Sequence, residues 1–107
     1  MSVPEISVDE LATLLDQAVR LIDVREPAEF AEARVPGAVL VPLGSVPDRV
    51  DAFRGDGPTY VICRSGARSA RAVEFVAQQG IDAVNVAGGT LAWIESGRPV
   101  HSGEQPS

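Results

Sequence analysis

The run from Thr59 to Ser69 constrains this chain more than any other. Thr59, Tyr60, Val61 and Ile62 are β-branched, aromatic or apolar, follow the turn-forming cluster Gly55-Asp56-Gly57-Pro58, and stop at Cys63. They read as a buried strand. From Ser69 onward the pattern becomes helical: Ala72, Val73, Val76 and Ala77 share a face, Phe75 widens it, and Gly80 supplies a C-terminal stop. Cys63-Arg64-Ser65-Gly66-Ala67-Arg68 is then a tight strand-to-helix connection, where unpaired backbone N–H groups and the positive end of a helix dipole converge. Such a loop suits an anion. Its field should be positive, because Arg64, Arg68 and Arg71 fall within eight positions of a chain whose net charge is −6.

The remaining chain supplies a frame for that loop. Ser7-Val8-Asp9-Glu10 is a capping-box start, and Val8, Leu11, Leu14 and Leu15 give an amphipathic helix lasting to about Gln17. Val3 to Ile6 suits a short edge strand. Leu21-Ile22-Asp23-Val24 has the apolar density of a strand buried on both faces. Asp23 is costly there unless paired, and Arg25 is the nearest partner in sequence. Glu26-Pro27-Ala28-Glu29-Phe30 opens a short helix with proline in its first turn. Val39-Leu40-Val41 makes a third strand, a helix is expected from Ser45 with Val46, Val50 and Phe53 on one face, and Val84-Asn85-Val86 makes a fifth strand. Gly88-Gly89 is a turn before a last helix at Thr90 to Ile94. Strands alternating with helices predict an α/β domain with a mainly parallel sheet. Ligands of open parallel sheets bind at the carboxyl ends of the strands, which is where Cys63 falls. One domain over residues 1–99 is expected, with residues 100–107 a polar, flexible tail.

Several function classes are set aside by composition. Phosphate recognition over a broad surface needs a basic field, so a nucleic-acid partner is not expected of an acidic chain without lysine. A single cysteine can form neither an internal disulfide nor a CxxC pair, and with the lone His101 it cannot complete a zinc site, so no metal and no cofactor are expected. Glu5, Asp9 and Glu10 stand where a secretory leader would be basic and then apolar, and the uncharged runs are too short for a membrane span. A soluble, cytoplasmic protein is the expectation. A lone cysteine after an apolar run is ordinarily a small core residue. The Gly66, Arg64 and Arg68 that follow it, and the helix start, argue for chemistry instead. Trp93, Phe30, Phe53 and Phe75 read as core, His101 as solvated, and the acidic side chains from Glu5 to Glu32 as a solvated surface.

Cys63-Arg64-Ser65-Gly66-Ala67-Arg68-Ser69 resembles the active loop of rhodanese-homology domains, which are sulfurtransferases. Leu21 to Phe30 resembles the family's first signature, Val35-Pro36-Gly37-Ala38 its second, and Gly88-Gly89 with Ala92-Trp93 its closing motif, so the likeness runs from about Val3 to Pro99. Ala33-Arg34 stands where the family often has Gly-His. The resemblance implies a five-stranded parallel sheet with helices on both faces. It also implies a catalytic Cys63, with Arg64, Ser65, Gly66, Ala67, Arg68 and Ser69 surrounding the substrate; Asp23 and Arg25, from their place in or beside an apolar strand, read as structural support rather than reacting groups. The expected reaction moves a sulfane sulfur from a small anionic donor such as thiosulfate to a thiol or cyanide acceptor through a Cys63 persulfide. With no histidine or carboxylate base evident beside Cys63, its thiolate must be stabilised electrostatically. A persulfide carrier or regulatory module loaded by a protein partner is the alternative. A cysteine-dependent phosphatase or arsenate reductase fits less well: only four residues separate Cys63 from Arg68, against five in the phosphatase pattern, and the smaller loop suits one sulfur better than a tetrahedral oxyanion.

Overall fold

In a computed structural model, residues 3–103 are described. Five strands, β1 (Glu5–Ile6), β2 (Arg20–Asp23), β3 (Val39–Leu40), β4 (Thr59–Ile62) and β5 (Ala83–Val86), form one sheet in the order β1-β5-β4-β2-β3. Every pairing between them is parallel. The central strand is β4, all four of whose residues are buried. Its neighbours are set in register, Asp23 against Ile62 on one side and Val61 against Asn85 on the other.

Parallel strands need crossovers, and these place helices on both faces. Alternation within β4 divides its side chains between two cores. Val61 points with Ile22, Val73, Val76 and Phe53 to the face covered by α3 (Ala67–Ala77) and the segment Leu43–Phe53. Tyr60 and Ile62 join Leu11, Val35, Val86 and Trp93 under α1 (Val8–Leu15), α2 (Pro27–Glu32) and α4 (Gly89–Glu95). The capping box expected for α1 is present, with Ser7 Oγ accepting from Glu10 N–H and Glu10 accepting from Ser7 N–H.

The helix expected from Ser45 is instead a 3-10 segment, Leu43–Phe53. Pro47 lies inside it and Arg49 leaves helical geometry at φ −129°, because proline removes a backbone donor and crowds the preceding turn. Val46 and Phe53 are still buried as their spacing requires. Part of the expected loose tail is tied down: Arg34 and His101 exchange backbone hydrogen bonds, and Gly103 N–H donates to Ala31 O. Residues 104–107 of that tail lie outside the described residues. No helix among the described residues is long and apolar enough to cross a membrane.

Candidate active site

At the carboxyl end of β4 the chain must turn from strand to helix within a few residues. Gly66 makes this possible at φ 112°, a left-handed conformation that a Cβ would strain. Consequently α3 starts at Ala67, two residues before its apolar periodicity begins, and its first turn closes over Cys63. Gly66 N–H donates to Cys63 Sγ at 3.1 Å, and Ser69 Oγ lies 3.2 Å from the same sulfur. Cys63 is a free thiol, 1% exposed. Only a slender group can reach its sulfur.

Burial alone pushes the Cys63 thiol up, and this is the largest single influence on it. The Ser69 hydroxyl and the backbone N–H groups of Ser69, Gly66 and Ser65 act in the opposite direction and together prevail. The thiol therefore ionises below its ordinary range. No side-chain base is required for this, since hydrogen bonds and a helix N-terminus favour the charged form directly.

The loop is held from behind by α4. Thr90 N–H donates to Cys63 O at 2.9 Å and Leu91 N–H to Arg64 O at 3.0 Å. These bonds need backbone-to-backbone approach at Gly89, where a Cβ would sit 2.5 Å from both the Cys63 and Arg64 carbonyl oxygens. Gly88-Gly89, expected as a turn, thus also makes room for the loop. Trp93 is in the core as expected, its indole N–H donating to Pro99 O.

The other residues expected at the site divide by location. Arg64, Ser65 and Ala67 are exposed on the loop rim. Arg68 turns toward α2 and forms a two-pronged pair with Glu29, Nη1 to Oε1 at 2.8 Å and Nη2 to Oε2 at 2.9 Å. Those hydrogen bonds, aided by the Glu26 N–H and offset in part by burial, hold Glu29 down at about 2, and the same pairing keeps Arg68 more firmly protonated. Asp23 is buried and takes Arg25 Nε and Nη2 as well as the Arg25 N–H; Arg25 also donates to Ala33 O. Arg34 is buried, stacked on Phe30 and bonded to Phe30 O and Gly103 O, so it joins α2 to the C-terminal segment.

Several acidic residues read from sequence as solvated have specific partners: Glu10 caps α1, Asp9 pairs with Arg98 at 2.8 Å, Glu29 pairs with Arg68, and Glu5 Oε2 accepts from Asn85 Nδ2 at 2.8 Å. Asn85 in turn contacts Ser69 Oγ. An asparagine inside an otherwise apolar strand was the available signal for this contact, because a buried amide needs partners. Beside the loop lies a cavity of about 200 Å³, lined by Arg25, Glu29, Arg64, Thr90, Leu91 and Ile94. Thr90 Oγ1 is buried there without a hydrogen-bond partner among the described residues. The described residues contain no cluster that could hold a metal ion.

Residues 7–96 match the model of the rhodanese-like domain family. This chain belongs to that family. Among its relatives, YtwF of Bacillus subtilis (strain 168), a candidate sulfurtransferase by name, is 38% identical over 101 residues, covering 92% of this chain and 98% of that one. A protein named sulfurtransferase from Allochromatium vinosum is also 38% identical over 101 residues, covering 92% and 94%. The rhodanese-related protein of Thermoplasma volcanium has the same fold, with a TM-score of 0.85 at 35% identity over 92% of this chain and 97% of that one. The five-stranded parallel sheet of this rhodanese-like chain is the family architecture.

Proposed function

We propose that this rhodanese-like protein is a sulfurtransferase that carries sulfur on Cys63. The observation that carries the reading is a free thiol at the end of the central strand, held under the Gly66 N–H and the Ser69 hydroxyl at the start of α3. The Cys63 thiolate attacks the outer sulfur of an anionic donor of the thiosulfate type. A new sulfur–sulfur bond forms, the donor's own breaks, and sulfite departs with that electron pair. The product is a Cys63 persulfide whose negative charge rests on the outer sulfur, among the loop N–H groups. A thiolate or cyanide then attacks that outer sulfur and Cys63 leaves as the thiolate, restoring the starting state.

The chain's own groups have separate tasks in this scheme. Arg64, exposed on the rim, meets the incoming anion. Arg68 spends two of its five N–H donors on Glu29, leaving three for the donor's oxygens and the departing sulfite. Ser65, Gly66, Ala67 and Ser69 supply the loop wall and its donors. Asp23 and Arg25 hold the frame. A thiol acceptor must come from outside, because the chain has no second cysteine.

Intact-protein mass spectrometry after incubation with thiosulfate tests this directly. The expected result is a gain of one sulfur on the wild type and none on Cys63→Ser, with the added sulfur released as thiocyanate by cyanide. Loading from a protein persulfide but not from thiosulfate would replace the small-molecule donor with a partner-fed carrier. No loading from either would overturn the assignment.

A further inference from the structure

Ser69 has one hydroxyl proton and three groups within reach of it. Its Oγ lies 3.2 Å from Cys63 Sγ, 3.2 Å from Gly66 O and in closer contact with Asn85 Oδ1. A carbonyl and an amide oxygen only accept, so both compete with the sulfur for that proton. Asn85 is 1% exposed, and the orientation of its amide is fixed by chemistry rather than by shape. Its Nδ2 donates to the Glu5 carboxylate at 2.8 Å and to Gly66 O at 3.2 Å, using both amide hydrogens. Turning the amide over would set its oxygen against two acceptors. Asn85 Oδ1 must therefore face Ser69.

We propose that Asn85, pinned by Glu5, is a positioning residue that competes with the Cys63 sulfur for the Ser69 hydroxyl proton. The inference rests on the persulfide reading of Cys63. When Cys63 is a thiolate, Ser69 donates to it and Asn85 Oδ1 loses its partner in a buried setting, which costs free energy. When Cys63 is a persulfide, the charge has moved to the outer sulfur, and the Ser69 proton returns to Asn85. Asn85 thus raises the free energy of the unloaded thiolate relative to the loaded state. It makes Cys63 a better sulfur acceptor at the cost of a less readily ionised thiol.

The charged groups facing this cluster are distributed among several elements. Arg64 lies on the loop and Arg68 on α3, the latter paired with Glu29 of α2. The buried Asp23–Arg25 pair stands at the end of β2, and Glu5 on β1. Replacing the neutral Asn85 leaves all of these charges in place.

The test is the ionisation of Cys63, followed by thiolate ultraviolet absorbance against pH in the full chain. This readout needs no sulfur donor, so it can fail or succeed independently of the persulfide reading. Asn85→Ala is expected to lower the midpoint by about one pH unit, the size of one hydrogen bond gained by a charged form. In a Ser69→Ala background the same substitution should shift nothing, because no proton remains to contest. An unchanged or raised midpoint in Asn85→Ala, or a shift of equal size without Ser69, would overturn the proposal; the latter is what mere loosening of the fold would give. Should Asn85→Ala fold poorly, Glu5→Ala, which removes both the carboxylate charge and the acceptor for Asn85 Nδ2 at the exposed end of the chain of contacts, provides a second cycle. Its lowering of the midpoint should exceed that of Glu5→Ala in Ser69→Ala, where only the lost carboxylate charge acts. Equal shifts in the two backgrounds would likewise overturn it.

Discussion

Two arginine–carboxylate pairs flank the loop, and they differ in nearly everything except chemistry. Asp23 and Arg25 are two residues apart, with side chains 0% and 6% exposed, and the pair extends through Arg25 to the Ala33 carbonyl. Glu29 and Arg68 are 39 residues apart and about one-third exposed, with side-chain values of 31% and 32%. Charges removed from water must keep their partners, whereas charges that retain water can exchange them. The inner pair is therefore part of the frame, and the outer pair stays open to water, as the proposed contact of Arg68 with an anionic donor requires.

The largest effect should come from breaking the inner pair. Arg25→Met strands a buried carboxylate and should cost about 3–5 kcal/mol, read from urea denaturation. The double substitution Asp23→Leu with Arg25→Met should recover much of that loss. If Arg25→Met unfolded no more readily than wild type, the contrast between the pairs would collapse. Arg68→Ala should behave in the opposite way. Because water screens this one-third-exposed pair, only a fraction of the depression of Glu29 survives as stability, which should change by less than about 1 kcal/mol, while loading of Cys63 from thiosulfate should slow by about tenfold, equivalent to about 1.4 kcal/mol. Loading at the wild-type rate would show that Arg68 serves only the fold.

Acid should separate the pairs more finely. Glu29 ionises at about 2 in the folded chain against an ordinary 4.5, so between these values the unfolded chain binds more protons at this position. Its stabilising contribution is complete above 4.5 and is lost as the pH falls through about 2. Glu29→Gln should flatten the wild-type loss of stability within that window. The smallest expected effect is that of salt: 0.5 M sodium chloride, a concentration at which the screening length is roughly 4–5 Å, should weaken the outer pair and leave the inner one intact. Comparing Arg68→Ala and wild-type stabilities with and without salt would detect it.

The same contrast explains what the sequence made legible. Asp23 could be matched with Arg25 because an aspartate in an apolar strand demands a partner and the candidate lay two residues away. Glu29 carried no such signal on a short polar helix, and its partner lay on the far side of two strands. The loop from Cys63 to Ser69 was readable because a strand pattern met a helix pattern there. The 3-10 form of Leu43–Phe53 was not, since apolar spacing records which face is buried and Pro47 alone marked the departure from α geometry. Asn85 showed only as a polar residue in β5; its place beside Ser69 follows from the β4–β5 register, which a sequence does not state.

The bonds from α4 to the Cys63 and Arg64 carbonyls have a mechanical corollary. With the first two peptides of the loop clamped to a second helix through a contact that admits no side chain at Gly89, Cys63 cannot swing outward on a flexible arm. Under the sulfur transfer proposed here, an exchange partner must supply the reach itself, by being small or by presenting its reactive atom on an extended tip. This site is a fixed berth, and the traffic has to be built to its dimensions.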